Sequence, residues 1–299
     1  MAESKNIKYS IIVPCYNEEL YIAKTLESLC QQTIKERFEI IVINNNCTDN
    51  TESIAKQYKV KVVNEERPGV CYARQAGVNV AKGSIIVSTD ADTVFDKDWL
   101  LKIDNEFNKN KDLVAVCGSC RYIDSPWWGI IYPHILFGFV SIYNKLFNNI
   151  VYITATNIAF KKSYFEGYNT ELSQGGDEIA LLGQLKKKGP VLFKKKLKVH
   201  TSSRRLTKGL FYNVFISFFY YYLIAYKINK KYNRRIIDSA PAYRSTKLKT
   251  LKITPVAMLF VIVIFGVIIA KYSKNSFELT KDAYVLAKDA FSHIYNILT

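Results

Sequence analysis

Short apolar runs alternate with amphipathic stretches through the first 120 residues of the chain. Tyr9 to Val13, Phe38 to Ile43, Val60 to Val63, Ser84 to Ser88 and Leu113 to Cys117 are brief and rich in Ile and Val, a pattern that predicts buried strands. Between them, Glu18 to Gln31 places Ile22, Leu26 and Leu29 on one helical face, and Asp49 to Tyr58 and Val70 to Ala81 behave similarly. Strand, helix and strand in repetition require right-handed crossovers, so the expected class is α/β with a mostly parallel sheet. Ligands of such sheets bind beyond the carboxyl ends of the strands. Three unusual polar groups fall there: Pro14-Cys15-Tyr16-Asn17-Glu18, Asn44-Asn45-Asn46 and Asp90-Ala91-Asp92.

After residue 125 the texture changes. Trp127 to Phe147 is aromatic and apolar, broken by His134 and Lys145, and Phe211 to Tyr226 carries nine aromatic residues and no charge. Ile253 to Ala270 is 18 uncharged residues, about 27 Å as a helix and just enough to span the hydrocarbon of a bilayer. Ser276 to Leu298 returns to an amphipathic pattern, with Phe277, Tyr284, Phe291 and Leu298 at heptad spacing. If Asp92 and a later catalytic residue serve one site, the chain cannot cross a membrane once between them. Trp127 to Phe147 is then an in-plane or core helix. The nine Lys and Arg of residues 227 to 252 are expected on the cytoplasmic side, which places 211 to 226 at the interface and leaves 253 to 270 as the expected span. The N-terminus, Met1 to Lys8, is polar and shows no export signal. The catalytic part is therefore expected on the cytoplasmic face of the cell membrane.

Charge sharpens this picture. The net charge of +16 is concentrated in residues 194 to 252, which hold 16 Lys or Arg and one acid, Asp238. Such a block beside aromatic runs favours anionic lipid head groups, at about 1 kcal/mol per charge near the surface. Nucleic acid is not expected as a partner, because no recognition motif accompanies the charge. The six cysteines include Cys117-Gly-Ser-Cys120, but no second pair completes a four-ligand zinc site, so they are expected as buried thiols.

The strongest chemical signal is Asp90-Ala91-Asp92. Two carboxylates one residue apart, at the exit of a buried strand, can turn toward one hard divalent cation such as Mg²⁺ or Mn²⁺ and share it with phosphate oxygens. Together with Ser10-Ile-Ile-Val-Pro-Cys-Tyr-Asn-Glu-Glu19, Ile41-Val-Ile-Asn-Asn-Asn-Cys-Thr-Asp-Asn-Thr51, Pro68-Gly-Val-Cys-Tyr-Ala-Arg-Gln-Ala-Gly77 and Thr89-Asp-Ala-Asp92, it resembles the successive signatures of family 2 glycosyltransferases of the GT-A fold. The resemblance runs from about residue 8 to 205. It implies a nucleotide-diphosphate sugar as donor and a divalent cation as cofactor.

Position by position, the resemblance implies that Pro14, Tyr16 and Glu18 line the nucleotide pocket and that Asp92 ligates the metal, with Asp90 supporting sugar or metal. Asn45 stands where the family usually has an Asp that accepts the N–H of the base; an amide carbonyl can accept that bond without the charge. Arg74 is expected to reach the donor phosphates or base. Gly175-Gly176-Asp177-Glu178 resembles the acidic motif beside the acceptor, where Asp177, or else Glu178, is the general base. Arg204 and Arg205, in His200-Thr-Ser-Ser-Arg-Arg205, are expected near the diphosphate, and His200 is a further candidate for the metal site.

The resulting expectation is an inverting enzyme with a GT-A domain over 1–205, a basic and aromatic membrane-interface region over 206–252, a transmembrane helix over 253–270 and an amphipathic helix over 271–299. The acceptor is expected to be a lipid or lipid-linked glycan. A polyprenyl-phosphate sugar synthase, whose acceptor is already ionised and needs no base, is the alternative; a non-catalytic sugar-binding scaffold is a more distant one.

Overall fold

Tyr9–Cys15 (β1) and Phe38–Asn44 (β2) form the centre of a parallel half-sheet in the computed structural model, which describes residues 6–170, 177–232 and 236–237. Ile11 to Val13 and Ile40 to Ile43 are all buried. Coverage on both faces explains why these strands read as continuous apolar runs and not as alternation. On one side β1 pairs in parallel with Ile85–Ser88 (β4), and on the other β2 pairs with Lys61–Asn64 (β3). Helices Ile22–Cys30 (α1), Thr51–Ala55 (α2) and Val70–Val80 (α3) make the crossovers. In α1, Ile22, Leu26 and Leu29 are buried as the pattern predicted. The helix begins four residues later than expected because Tyr21 and Ile22 both donate their N–H to the Glu18 carbonyl, each at 2.9 Å, closing a turn first.

Beyond β4 the sheet changes direction. Ile158–Lys161 (β7) pairs antiparallel with both β4 and Ala115–Ile123 (β6), and so separates the two. Val191–Ser202 (β8) then runs parallel to β6, and short Thr93–Val94 (β5) closes antiparallel on β8. The order is β3-β2-β1-β4-β7-β6-β8-β5. The expected strand at 113 to 117 therefore does not extend the parallel half directly: β7, four residues that no periodicity announces, lies between. The β6–β8 ladder shifts register between Gly118 and Ser119. Fully buried Asn157 fills the irregularity: its amide donates to the carbonyls of Ser119 (2.8 Å) and Leu197 (3.0 Å) and accepts from Trp99 Nε1 (3.0 Å). Only glycine fits at 118, since a Cβ there would lie 2.1 Å from the Asn157 amide nitrogen.

Trp99–Lys109 (α4) buries Trp99, Leu100, Ile103 and Phe107. Trp127–Phe147 (α5) buries a narrow stripe of Gly129, Pro133, Phe137 and Val140, with the Phe137 ring 6.1 Å from that of Phe193 on β8. Its other face exposes Trp127, Ile131, Ile135, Phe139, Ile142 and Leu146. It is not a core helix. Among the described residues it is also the one helix long and apolar enough to cross a membrane. Asp177–Lys188 (α6) carries Asp177 and Glu178 in its first turn and three lysines in its last, complementing the helix dipole at both ends. A helical run continues from Gly209 to Tyr232, wound as π-helix over Tyr212–Ala225. The glycines at 175 and 176, the expected span at 253–270 and the expected amphipathic helix at 271–299 lie outside the described residues.

Candidate active site

The carboxyl ends of β1, β2 and β4 lie side by side, and the loops leaving them interlock. The Cys15 carbonyl accepts from Asn45 N at 2.9 Å, and the Ile12 carbonyl accepts from Thr89 N at 3.2 Å. Asn17 adopts a left-handed φ of 54°, a conformation asparagine tolerates, and its side-chain oxygen accepts from Thr48 N at 2.8 Å. This turn delivers Glu18, whose N–H donates to Thr51 Oγ1 at 2.7 Å, into a buried position.

Glu18 meets Arg204 from the far end of the domain. The guanidinium, on the short 3₁₀ turn after β8, donates to both Glu18 oxygens at 2.6 and 2.7 Å, a forked geometry lysine cannot copy. The same group lies 2.9 Å from Asp92 Oδ2 and 5.0 Å over the Tyr21 ring. Thr201 Oγ1 donates to Asp92 Oδ1 at 3.2 Å, and Ser202 N to the Asp92 carbonyl at 3.0 Å. Burial, with Asp90 and Glu18 as like-charged neighbours, pushes the Asp92 carboxyl up to about 6 despite the arginine. Two hard carboxylates one residue apart suit Mg²⁺ or Mn²⁺, which need one or two protein carboxylates and take further ligands from substrate phosphates. The described residues contain no group of three or more acids, histidines or cysteines poised to cage a metal alone. Asp92 and Asp90 therefore fit a cation shared with a diphosphate.

A second ion cluster adjoins the first. Arg74 of α3, 4% exposed, donates to Asp90 Oδ1 at 2.9 Å and to Asp177 Oδ2. Burial works against its charge, but the two carboxylates more than restore it. Its Nε, also buried, has no hydrogen-bond partner among the described residues. Arg74 thus lies between two acids, joining the Asp90-Ala91-Asp92 loop to the start of α6. Next to Asp177, burial and that neighbouring carboxylate push Glu178 up to about 8, so at neutral pH it holds a proton. An acid already protonated cannot act as base, so this direction disfavours Glu178 in that role. A stability measurement checks this assignment. The proton is retained in the folded state up to about pH 8 but leaves the unfolded chain near 4.5, so wild-type stability is eroded as pH rises between those values. Glu178→Gln lacks this proton linkage. Relative to wild type, its melting temperature is expected to climb from pH 4.5 to 8 and then level off; a constant difference across that range shows Glu178 ionised throughout.

The other expected residues make none of the ion pairs of these two clusters. Asn45 is buried and committed to its own loop: its amide donates to the carbonyls of Glu65 and Arg67, both at 2.7 Å, and accepts from Gly69 N at 2.9 Å. An aspartate could make only the last of these bonds, a physical reason for asparagine at this position. Pro14 lies within β1 opposite Ile43, Tyr16 is exposed at 45%, and Arg205 is exposed with no ion pair among the described residues. His200 faces Asp96, at 3.7 Å, and not Asp92. Cys117 and Cys120 are buried free thiols, as expected, the latter pushed by burial up to about 12. Sequence reasoning missed Thr201 and Tyr21. Thr201 was within reach, as it lies in the segment already singled out.

Comparison with known proteins bears on the fold and the family. Over 148 residues the chain is 30% identical to "Glycosyltransferase GlyA" of Streptococcus pneumoniae, covering 48% of this chain and 20% of that protein. Over 128 residues it is 35% identical to the poly(ribitol-phosphate) beta-glucosyltransferase of Bacillus spizizenii, covering 40% of this chain and again 20% of that protein. The chain thus spans about a fifth of the length of these relatives. The crystal structure of S. aureus TarS 1-349 in complex with UDP-GlcNAc superposes with a TM-score of 0.56 at 17% identity, over 77% of this chain and 68% of that one. This likeness is one of fold, a mixed α/β architecture with a curled, mostly parallel sheet consistent with GT-A. The sequence description of glycosyl transferase family 2 matches residues 10–168, just over half the chain and nearly all of the sheet through β7, and the protein belongs to that family.

Proposed function

We propose that this protein is an inverting glycosyltransferase that moves a sugar from a nucleotide-diphosphate donor to a lipid or lipid-linked acceptor in envelope glycan synthesis, working at the cytoplasmic face of the cell membrane. The observation that carries the reading is the pair of arginine-bridged acid clusters, Glu18–Arg204–Asp92 and Asp90–Arg74–Asp177, whose Glu18, Asp90 and Asp92 follow the carboxyl ends of the interior strands β1 and β4. Arg204 offers a guanidinium to the departing diphosphate, exchanging carboxylate partners for phosphate oxygens. Asp177, held in place by Arg74, accepts the proton of the acceptor hydroxyl as its oxygen attacks the anomeric carbon. A divalent cation held by Asp92 and Asp90 would supply Lewis-acid neutralisation of the leaving diphosphate. Arg74 positions both acids, a reading that replaces direct contact with the donor phosphates. Asn45 shapes the base pocket through the loop it clasps. A relative acting on poly(ribitol phosphate) and a neighbour crystallised with UDP-GlcNAc support a uridine-diphosphate sugar and an envelope glycan. The exposed apolar face of α5 supports a membrane-held acceptor.

The test is a thermal-shift screen of the full chain against uridine- and guanosine-diphosphate sugars with Mg²⁺ or Mn²⁺, followed by transfer assays with membrane extracts. A cation-dependent rise in melting temperature with a uridine-diphosphate sugar is the expected result. If no nucleotide sugar stabilises the protein with either cation, the donor assignment fails.

A further inference from the structure

Two adjoining clefts run beneath α5, and they share Arg121 and His134. One continues to Lys195 and Lys198 of β8; the other, a cavity of about 250 Å³, continues to His200 and is also lined by Gly129 of α5. The parallel register of β6 and β8 brings Arg121 beside His200. His134 Nδ1 lies 2.8 Å from the Ile130 carbonyl, which can only accept, so the proton is on Nδ1 and Nε2 accepts from Arg121 at 3.3 Å. His134 therefore aims the Arg121 guanidinium without neutralising it. No carboxylate lines either cleft, and Arg121 forms no ion pair among the described residues; Asp96 approaches His200 only at 3.7 Å. A concentration of Arg, Lys and His donors with so little opposing charge is an anion site by its chemistry.

The surroundings define which anion. Directly over these clefts, the exposed face of α5 offers Trp127, Ile131, Ile135, Phe139, Ile142 and Leu146 in a stripe along the whole helix. A soluble anion has no use for such a stripe, whereas a bilayer lipid presents apolar chains and a phosphate together. We propose that Arg121, His134 and His200, with Lys195 and Lys198, form a binding site for the phosphate head group of an anionic bilayer lipid, and that α5 lies in the interface plane above it. This inference deepens the membrane-facing part of the proposed function and does not depend on sugar transfer.

The chain reports on the site through its own fluorescence. Of its three tryptophans, Trp99 is fully buried in the core while Trp127 and Trp128 open α5. Full-length protein is added to phosphatidylcholine vesicles carrying equal fractions of phosphatidylglycerol, with bromines on the chains of one lipid or the other, in the absence of nucleotide sugar and metal. Brominated phosphatidylglycerol is expected to quench more strongly, by up to the roughly fivefold enrichment that about 1 kcal/mol per captured charge produces. In Arg121→Gln/His200→Gln that preference falls to half or less, while quenching by brominated phosphatidylcholine persists because the apolar stripe is intact; Arg121→Lys keeps most of it. Equal quenching by the two lipids in wild type, or an undiminished preference in the double variant, overturns the proposal. So does a blue shift that grows with protein concentration without lipid, which assigns the face to a second copy of the chain. The readout needs no turnover, so its failure leaves the transfer chemistry standing, and failure of the donor screen leaves the lipid site standing.

Discussion

Asp92→Ala is expected to abolish sugar transfer, by roughly 10³-fold or more, while leaving the protein folded. The residue lies at the convergence of the site: its carboxylate takes a hydrogen bond from Thr201, shares Arg204 with Glu18, and is crowded by Asp90. Alanine removes a ligand for the proposed cation. It also removes a charge that burial already disfavours, so melting of the nucleotide-free protein is expected to be unchanged or slightly raised near pH 7. Arg204 keeps its forked bond to Glu18, which holds the end of β8 in place. The checks are the turnover rate, the cation-dependent melting shift with donor, and the melting temperature without it. Full turnover in the variant, or in wild type with excess chelator, removes the metal from the proposal. A collapse in the nucleotide-free melting temperature instead makes Asp92 a structural residue.

Asp177→Asn is expected to lower kcat by about 10² to 10⁴, the usual cost of losing a positioned general base, with donor affinity nearly unchanged. The amide oxygen can still accept from Arg74, and Arg74 retains Asp90, so the α3–α6 connection survives. Glu178→Gln is expected to cost far less, because the native side chain is already neutral at pH 7. Donor affinity and single-turnover rate for both variants decide the matter. A loss confined to Glu178→Gln moves the base by one residue. Unchanged rates in both point to an acceptor that arrives ionised, as a polyprenyl phosphate does.

The parallel half of the sheet was legible because both faces of β1, β2 and β4 are covered, which leaves runs such as Ile11–Val13 with no polar interruption. The loops carrying Glu18 and Asp90-Ala91-Asp92 were legible for a related reason, since strand ends in such a sheet converge. β7 was not. Its four residues are bounded by the Thr154 to Asn157 turn, and its antiparallel place depends on Asn157 bridging β6 and β8, a contact between residues 38 and 40 positions apart. The partners of the charged residues were equally hidden. Nothing in local spacing shows that Arg74 will be enclosed by Asp90 and Asp177, or that Arg204 will turn back to Glu18. The loop clasp of Asn45 was hidden as well, because the same amide suits a base-binding role and the bonds to Glu65 and Arg67 it makes here.

The bond between Glu18 and Arg204 joins positions 186 apart, and that between Arg74 and Asp177 joins positions 103 apart. Both reach past residue 168, where the family match ends. The recognisable motifs therefore form an incomplete unit: a fragment ending there would keep Glu18, Arg74, Asp90 and Asp92 as four charged groups with neither Arg204 nor Asp177 to organise them. Grafting the matched stretch of a relative onto this chain would transplant the signatures yet leave the reacting groups to be met by foreign partners. If the proposed roles hold, the unit of inheritance for this activity extends through Arg204, and chimaeras divided at the motif boundary sever the contacts that hold each of the two clusters together.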